Sequence, residues 1–262
     1  MVYEQSNLVR LEINNHVAVL TIQNRPLNIL TDNLLNELNQ TLDSILSDAE
    51  LRAIVLDATG ERAFAAGADI NQFPNLDKEN GIALVDKGKR IFDKLAGSSV
   101  PVICSIHGMA LGAGLELALA CDIRVAEENA KLGFPETGLG ILPGYGGTQR
   151  LSRLIGPGKT KEIILSGVIL SGKEAFEVGL VEQVTPPGGA IEKAREIANN
   201  IAVKAPLAVA NAKKAIDLGF ELPLENGQSL ETQLFAELCE SEDMQEGVRA
   251  FKEKRKPEFQ GK

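Results

Sequence analysis

Two glutamates in the middle of the chain are the residues best suited to chemistry. Glu116 lies in HGMALGAGLELALACD, residues 107–122, among small and apolar neighbours. An unpaired carboxylate in such a setting is costly, so it must find partners, shift its pKa or serve a purpose. Glu136 follows Pro135 in the glycine-rich segment KLGFPETGLGILPGYGGTQR, residues 131–150. Two carboxylates in opposite protonation states can act as a general base and a general acid.

Each glutamate also has a purely structural interpretation. Glu116 could face water from one side of a short helix, or it could pair with a buried arginine, as charged residues usually do. Glu136 could be an exposed loop residue, or a residue in the first turn of a helix, where the helix dipole favours negative charge. Residue type and position alone leave these interpretations open for both side chains.

Two glycine-containing junctions accompany Glu116, one earlier in the chain and one that includes it. The first, AIVLDATGERAFAAGADINQF (53–73), leaves a strand through small residues before Asp69 and a short helix. Small side chains let a ligand approach the backbone closely. The second, VICSIHGMALGAGLELALA (102–120), enters a helix at about Gly112 to Gly114, and N–H groups at a helix start are free and partly positive. Together with a buried glutamate, the two junctions predict a ligand site.

The remaining motifs exclude several other chemistries. The chain has only two histidines, His16 and His107, so a His-rich metal site or an HExxH helix cannot be built. No serine lies in a GxSxG elbow, and Ser105 beside His107 is more typical of strand and turn structure. The glycine clusters match neither GxGxxG nor GxxxxGK[ST]. We therefore expect neither a metal nor a redox cofactor.

The composition predicts a soluble globular protein of the cytoplasm. With 262 residues and 44% hydrophobic content, the chain can form one substantial domain, with or without a modest appendage. The net charge of -9 argues against nucleic acid as the main partner. No segment approaches a membrane span, and the first thirty residues lack the apolar run of a signal peptide. The cysteines lack metal-type spacing and are predicted to be reduced interior residues: Cys104, Cys121 and Cys239.

The elements that must position the two glutamates alternate between strand and helix patterns. Two strand-like runs around Asn14-Asn15 predict a hairpin, and a helical repeat follows in residues 33–46, with Thr31 or Asp32 as its cap. Three short apolar runs predict buried strands: 53–58, 101–106 and 121–126. This alternation is typical of α/β layering. From Pro186 onward the patterns are helical only, which predicts a core in residues 1–200 and a C-terminal helical region in residues 201–262.

Three segments, in their order and spacing, resemble the enoyl-CoA hydratase branch of the crotonase superfamily. They are AFAAGADI (63–70), GMALGAGLELALACDIRVA (108–126) and AKLGFPETGLGILPGYGGTQRLSRLIG (130–156). The similarity extends from VAVLTIQNRPLNIL (17–30) to FKEKRKPEF (251–259) and is most specific in the middle third. It implies an α/β fold, a crotonase-like spiral of ββα units with a C-terminal helical region that associates into homotrimers or homohexamers. Four apolar residues could be buried between subunits or within the chain: Leu230, Leu234, Phe235 and Leu238.

The resemblance also implies a role for each site residue. The carbonyl oxygen of a coenzyme A thioester would lie between the backbone N–H groups of Ala68 and Ala113, and one such oxyanion donor is worth about 3–4 kcal/mol. Glu116 and Glu136 would face each other across the substrate double bond with one water between them. Glu116 would be the base that activates this water, Glu136 would supply the proton to C2, and the two would titrate as a coupled pair. Further substrate contacts are expected from Ala66, Ala68, Asp69, Ile70 and Gly144.

Because both acid positions hold glutamate, the resemblance implies a reversible hydratase. It would convert trans-2-enoyl-CoA to 3-hydroxyacyl-CoA in fatty-acid β-oxidation or related acyl-CoA degradation. One alternative is a Δ3,Δ2-enoyl-CoA isomerase, which needs a single well-placed carboxylate. Another is a non-catalytic member that binds acyl-CoA or RNA, although the only lysine-rich candidates are the short runs NAKKAID (211–217) and KEKRKPEF (252–259). Acyl-chain preference would depend on walls contributed by residues 71–92.

Overall fold

The structure, a computed structural model, describes residues 8–262. Residues 1–7, part of the segment in which no signal peptide is expected, lie outside the described residues. Within the described range, ten strands form two sheets. The strands are β1 (Val9–Asn14), β2 (Val17–Ile22), β3 (Ala53–Ala58), β4 (Ala63–Ala65), β5 (Val102–Ile106), β6 (Met109–Leu111), β7 (Ile123–Glu127), β8 (Lys131–Gly133), β9 (Ile169–Ser171) and β10 (Gln183–Thr185).

Ten α-helices and two short 3₁₀ helices complete the secondary structure of this range. The 3₁₀ helices span Ile70–Asn75 and Glu136–Leu139. The α-helices are α1 (Asp32–Leu46), α2 (Lys78–Ala96), α3 (Ala113–Leu119), α4 (Gly147–Ile155), α5 (Pro157–Ser166), α6 (Gly172–Glu177), α7 (Ala190–Ala202), α8 (Pro206–Gly219), α9 (Leu224–Leu238) and α10 (Glu242–Glu253).

The chain repeats a ββα unit that places one strand of each pair in a different sheet. The larger sheet has the order β1-β2-β3-β5-β7-β10, antiparallel between β1 and β2 and parallel elsewhere. The smaller sheet has the order β4-β6-β8-β9, of which only the β8–β9 pair is antiparallel. The pairs β3–β4, β5–β6 and β7–β8 therefore feed both sheets in turn. Each pair leads into a helix, as the predicted ββα architecture requires.

The hydrophobic core has two layers, one on each face of the larger sheet. One layer fills the space between the sheets and helices α1, α2 and α3, and it includes Leu56, Phe64 and Phe92. The other lies between the opposite sheet face and α7. Helix α7 contributes a stripe of alanines at four-residue spacing: Ala190, Ala194, Ala198 and Ala202. These small side chains let the helix pack closely on the strands.

The predicted N-terminal elements are present, with the hairpin turn shifted by one residue. Asn14 pairs with Val17, so the turn residues are Asn15 and His16, with φ of 49° and 66°, and not Asn14 and Asn15. A two-residue hairpin turn of this type needs positive φ at both central positions, which determines where the turn closes. Of the two candidate caps of α1, Thr31 is the one observed, and its side chain accepts a hydrogen bond from the Leu34 N–H.

The C-terminal region packs helix on helix and is tied to the core by Arg52. This side chain donates hydrogen bonds to the carbonyl oxygen of Ala202 at 3.1 Å and to that of Phe259 at 2.8 Å. The predicted boundary at residue 200 lies in the last turn of α7, and the division into two regions remains a prediction. On α9, Leu234 is buried, Leu230 and Leu238 are half-buried, and Phe235 is exposed.

The three cysteines are free thiols, as expected, but they differ in location. Cys104 and Cys121 are buried, whereas Cys239 is exposed, so the interior position predicted for Cys239 is wrong. It caps the C-terminal end of α9, one turn from the exposed Phe235. None of the helices in residues 8–262 has the length and apolar character needed to cross a bilayer.

Candidate active site

A cavity of about 670 Å³ opens beside the smaller sheet and contains both glutamates. Its floor is formed by the two glycine-containing junctions, and its walls come from α2, the 3₁₀ helices and the loop that precedes α4. Most wall side chains are apolar, and several are exposed at the mouth: Ile70, Leu76, Ile82, Leu139, Ile141 and Leu142. An apolar cleft with a few polar groups at its base is typical of a small-molecule site.

The two junctions contact each other, which brings the Ala68 and Ala113 backbones into one cavity. A side-chain carbon on Gly114 would lie 2.0 Å from the carbonyl oxygen of Ala65, so the start of α3 is packed directly against the end of β4. Ala113 is the first residue of α3, where the helix offers its N–H no acceptor. Among the hydrogen bonds recorded for residues 8–262, none uses the N–H of Ala68 or of Ala113 as donor. Both N–H groups are therefore available to a ligand.

Glu116 is buried on α3 and held by backbone donors. Its side chain is 2% exposed, and Oε1 accepts hydrogen bonds from the N–H groups of Tyr145 and Gly147, both at 2.7 Å. The structural alternatives fail, because the Glu116 carboxylate is almost fully buried and forms no ion pair with an arginine within residues 8–262. Burial raises the pKa of Glu116 to about 7, and the Glu136 carboxylate adds to the increase, while the two N–H donors and the Arg150 charge oppose it.

Glu136 begins the second 3₁₀ helix and lines the same cavity. It is 8% exposed, and its Oε2 is a buried atom without a hydrogen-bond partner in the described part of the chain. Burial raises the pKa of this carboxyl above its usual range. The carboxylate fits because residue 112 is glycine, since a side-chain carbon on Gly112 would lie 2.7 Å from Glu136 Oε1. The exposed-loop interpretation of Glu136 therefore fails.

Burial raises the pKa of both carboxyls, but the hydrogen-bond donors around them differ. Two N–H donors on one oxygen stabilise the ionised form of Glu116. Glu136 lacks such donors at Oε2, so its ionised form would leave buried charge unsatisfied. When Glu136 holds a proton, its contribution to the pKa increase of Glu116 disappears, and Glu116 ionises more readily. The pair can thus hold one base and one acid at neutral pH.

The cavity brings together nearly all residues expected to bind substrate. Ala66, Ala68, Ile70 and Gly144 line it, as do both glutamates and Ala113. Asp69 does not line the cavity. Its carboxylate instead caps the first 3₁₀ helix, with Oδ1 accepting a hydrogen bond from the Asn71 N–H at 3.1 Å. The walls contributed by residues 71–92 were expected from the sequence, and those in place include Phe73, Ile82 and Val85.

Sequence reasoning missed the turn that holds Glu116. Tyr145 and Gly147 donate to it, and the intervening Gly146 has φ of 108°, which points both N–H groups to the same side. The Tyr145 ring packs edge-on against Phe92, with ring centroids 5.4 Å apart. The available signal was the glycine pair after Tyr145 in LPGYGGTQR, because consecutive glycines in a loop often mark a turn that presents N–H groups.

Ser105 and His107 lie outside this cavity. Ser105 belongs to β5, and His107 Nδ1 lies 3.9 Å from Asp57 Oδ1 at the end of β3. This agrees with the interpretation of both residues as strand and turn structure. In the range that the structure describes, no three His, Cys, Asp or Glu residues are grouped closely enough to hold a metal ion.

Comparisons with known proteins agree with this geometry. The family model described as enoyl-CoA hydratase/isomerase matches residues 12–262. A short-chain-enoyl-CoA hydratase from Clostridium acetobutylicum is 42% identical over 96% of this chain and 97% of its own length. A crotonyl-CoA hydratase from Syntrophomonas wolfei is 38% identical over 99% of both chains. The crystal structure of an enoyl-CoA hydratase from Bacillus anthracis superposes with a TM-score of 0.94 at 42% identity, covering 98% of this chain and all of that one.

Proposed function

The chain belongs to the enoyl-CoA hydratase/isomerase family, and we propose that it catalyses the reversible addition of water to trans-2-enoyl-CoA, giving 3-hydroxyacyl-CoA. The family and the crotonase-like fold expected from the sequence are confirmed. The observation that carries the proposed reaction is the pair of buried glutamates in one cavity with two free backbone N–H groups.

The two N–H groups of Ala68 and Ala113 supply the oxyanion hole in this proposal. As the oxygen of water bonds to C3 of the enoyl group, the C2–C3 π electrons move toward the thioester, and negative charge grows on its carbonyl oxygen. Fixed donors stabilise this charge without reorganising, and the loss of one such donor typically costs about 3–4 kcal/mol in the transition state. Backbone donors suit this task because the packing of Gly114 on β4 holds the two junctions rigidly together.

Glu116 and Glu136 supply the proton transfers. Glu116, ionised and held by two N–H donors, takes a proton from water as the oxygen attacks C3. Glu136, whose Oε2 has no hydrogen-bond partner among the described residues, holds the proton of the pair in this proposal and gives it to C2. After the reaction the pair again holds one proton, which is now on Glu116 while Glu136 is ionised. Dehydration follows the same path in reverse. Low local polarity strengthens each of these interactions.

The proposed function extends to cofactor use, location, pathway and oligomeric state. We propose that no metal or redox cofactor takes part, since proton transfer and charge stabilisation are supplied by this chain's own groups. The free thiols of Cys104, Cys121 and Cys239 fit the proposed cytoplasmic location. A role in fatty-acid β-oxidation or related acyl-CoA degradation follows from the chemistry of the product. Apolar side chains at the C-terminal helices support homotrimers or homohexamers, and the most exposed are Ile216, Phe220, Leu224, Phe235 and Phe251.

A direct assay tests the proposed reaction. Purified protein is mixed with crotonyl-CoA, with and without a chelator, and the loss of the conjugated thioester absorbance is followed. We expect formation of 3-hydroxybutyryl-CoA, identified by a mass gain of one water, at the same rate in both conditions. The Glu116→Gln/Glu136→Gln double variant serves as the control for background hydration. Absence of the hydrated product would overturn the proposed function, and loss of activity with chelator alone would overturn the metal-free mechanism.

A further inference from the structure

The turn that holds Glu116, residues 145–147, accepts a hydrogen bond from Arg150 on its opposite side. Tyr145 and Gly147 direct their N–H groups at Glu116 Oε1, while the Tyr145 carbonyl oxygen accepts a hydrogen bond from Arg150 Nη1 at 2.8 Å. The peptide group after Tyr145 is therefore fixed by a charged donor. A hydrogen bond from a charged group is stronger than a neutral one, so this contact restrains the turn effectively.

Gly146 shows how closely the guanidinium covers the turn. A side-chain carbon on Gly146 would lie 2.4 Å from Arg150 Nη1, so no other residue could occupy this position without displacing the guanidinium. The φ of 108° at residue 146 also favours glycine, because residues with a side chain rarely adopt this conformation. The turn and the arginine are thus fitted to each other, which points to a positioning role and not to a chance surface contact.

Asp93 on α2 holds the arginine in place. Arg150 Nη2 donates to Asp93 Oδ1 at 2.6 Å, and Asp93 Oδ2 forms a salt bridge with Lys89 Nζ at 3.1 Å. The Arg150 side chain is 19% exposed and that of Asp93 is 48% exposed, so the arginine lies inside and its anchor lies at the surface. The last part of α2 also supplies Phe92, which packs against the Tyr145 ring.

We propose that Arg150, anchored by Asp93, is a positioning residue that fixes the turn of residues 145–147 and thereby orients Glu116 for its role as the base. This inference rests on the proposed function for its kinetic consequences. Helix α2 then has two tasks, because its first half lines the substrate cavity through Ile82 and Val85 while its second half holds the turn behind Glu116. A shift of α2 caused by substrate packing would therefore alter the orientation of Glu116 through the Asp93–Arg150 contact.

Arg150 also contributes charge. Among the described residues, the Glu136 carboxylate raises the pKa of Glu116 and the Arg150 guanidinium lowers it. The Tyr145 phenol also faces Glu116, and burial together with the Glu116 charge raises the pKa of Tyr145 to about 12. Removing the guanidinium therefore loosens the turn and raises the pKa of the base. A lysine at position 150 would keep the charge but could not bind both Tyr145 and Asp93 in the fork geometry of a guanidinium. The two effects can thus be separated by substitution.

The test compares Arg150→Met and Arg150→Lys with Arg153→Met as the matched control. Arg153 lies on the same helix, is exposed, and pairs with Glu221 away from the turn. For crotonyl-CoA hydration by Arg150→Met, we expect kcat to fall about 10- to 100-fold with little change in KM, as for a base misplaced by up to about 1 Å. The acid limb of the pH profile should move to higher pH. Arg150→Lys should restore the acid limb and part of kcat, and Arg153→Met should match wild type.

A second readout separates failure of this inference from failure of the proposed function. Infrared difference spectra can follow the protonation of Glu116 without substrate, with the band assigned by its loss in Glu116→Gln. The titration midpoint of Glu116 should be higher in Arg150→Met than in wild type and in Arg150→Lys. Adding Asp93→Ala to Arg150→Met should cost little further activity, because the two residues act as one unit. An unchanged midpoint and pH profile in Arg150→Met, or equal losses in Arg150→Met and Arg153→Met, would overturn the positioning role.

Discussion

Replacing Gly112 by alanine should displace the Glu136 carboxyl group although residue 136 itself remains glutamate. The added carbon would lie 2.7 Å from Glu136 Oε1 and 3.3 Å from its Cδ. An ordinary contact between carbon and oxygen is about 3.4 Å, so the carboxyl group must move by about 0.7 Å. A misplacement of this size in a catalytic group costs up to about 100-fold in rate. We therefore expect kcat for crotonyl-CoA hydration to fall by between about 10- and 100-fold.

The same substitution carries a separate cost in stability. Gly112 has φ of 52°, a conformation that residues with a side chain rarely adopt, and such strain costs about 1–3 kcal/mol. For a chain of this size the loss corresponds to a decrease in Tm of about 2–12 °C. Gly140→Ala is the matched control, because Gly140 also has positive φ, 76°, and follows Glu136 by four residues. No atom of the described residues lies within 4 Å of a carbon added at Gly140.

Steady-state kinetics and thermal denaturation of both variants separate the two effects. Gly140→Ala should lose some stability and keep its kcat, whereas Gly112→Ala should lose both. Circular dichroism at the assay temperature confirms that each variant is folded. A Gly112→Ala variant with kcat within twofold of wild type, or equal kcat losses in the two variants, would refute the reasoning that Gly112 makes room for Glu136.

Two further predictions concern the oxyanion donors and the pH dependence of stability. Proline at Ala68 or Ala113 deletes one N–H and should abolish hydration, while glycine should be tolerated far better. Ala113 is the clearer case, because the first position of a helix accepts proline without disturbing the fold. Equal rates for folded proline and glycine variants would remove the assignment of the oxyanion donors. Burial raises the pKa of Glu116 from 4.5 to about 7, so the stability that the protonated carboxyl contributes is present below pH 4.5 and lost as the pH rises through 7. In denaturant titrations, Glu116→Gln should therefore be nearly as stable as wild type at pH 4.5. At pH 8 the variant should be more stable than wild type, by at most about 3 kcal/mol. A stability difference that does not grow with pH would contradict this.

The longer elements of the fold could be predicted because their patterns extend over enough residues. Helix α1 places Leu34, Leu38 and Leu42 on one buried face, and β3 is a short apolar run that matches the predicted residues 53–58. Strands β4 and β6 are only three residues long, too short for any periodicity to appear. The second sheet was therefore implied only by the family resemblance and not by local pattern.

Part of the site could be predicted because its residues conflict with their surroundings. Glu116 was conspicuous as a carboxylate in an apolar helix, and that helix is indeed buried along its whole length. The residues that hold Glu116 could not be found in this way, because Tyr145 lies 29 positions away and contributes a backbone N–H that any residue other than proline could supply. Asp69 illustrates the opposite case, since its side chain caps a local helix and Asp69 does not line the cavity, and its predicted contact with substrate stays a prediction.

The central claim is that Glu116 and Glu136 act together on one water molecule. The most direct test measures kcat/KM for 2-enoyl-CoA hydration and for 3-enoyl-CoA isomerisation in wild type, Glu116→Gln, Glu136→Gln and the double variant. Glutamine keeps the shape of each side chain and removes its titration. The account predicts that each single variant loses about 10²- to 10⁴-fold in hydration and that the double variant is little worse than either. Near-wild-type hydration by either single variant would contradict the paired mechanism. So would a preference for 3-enoyl-CoA as substrate together with a requirement for only one of the two glutamates.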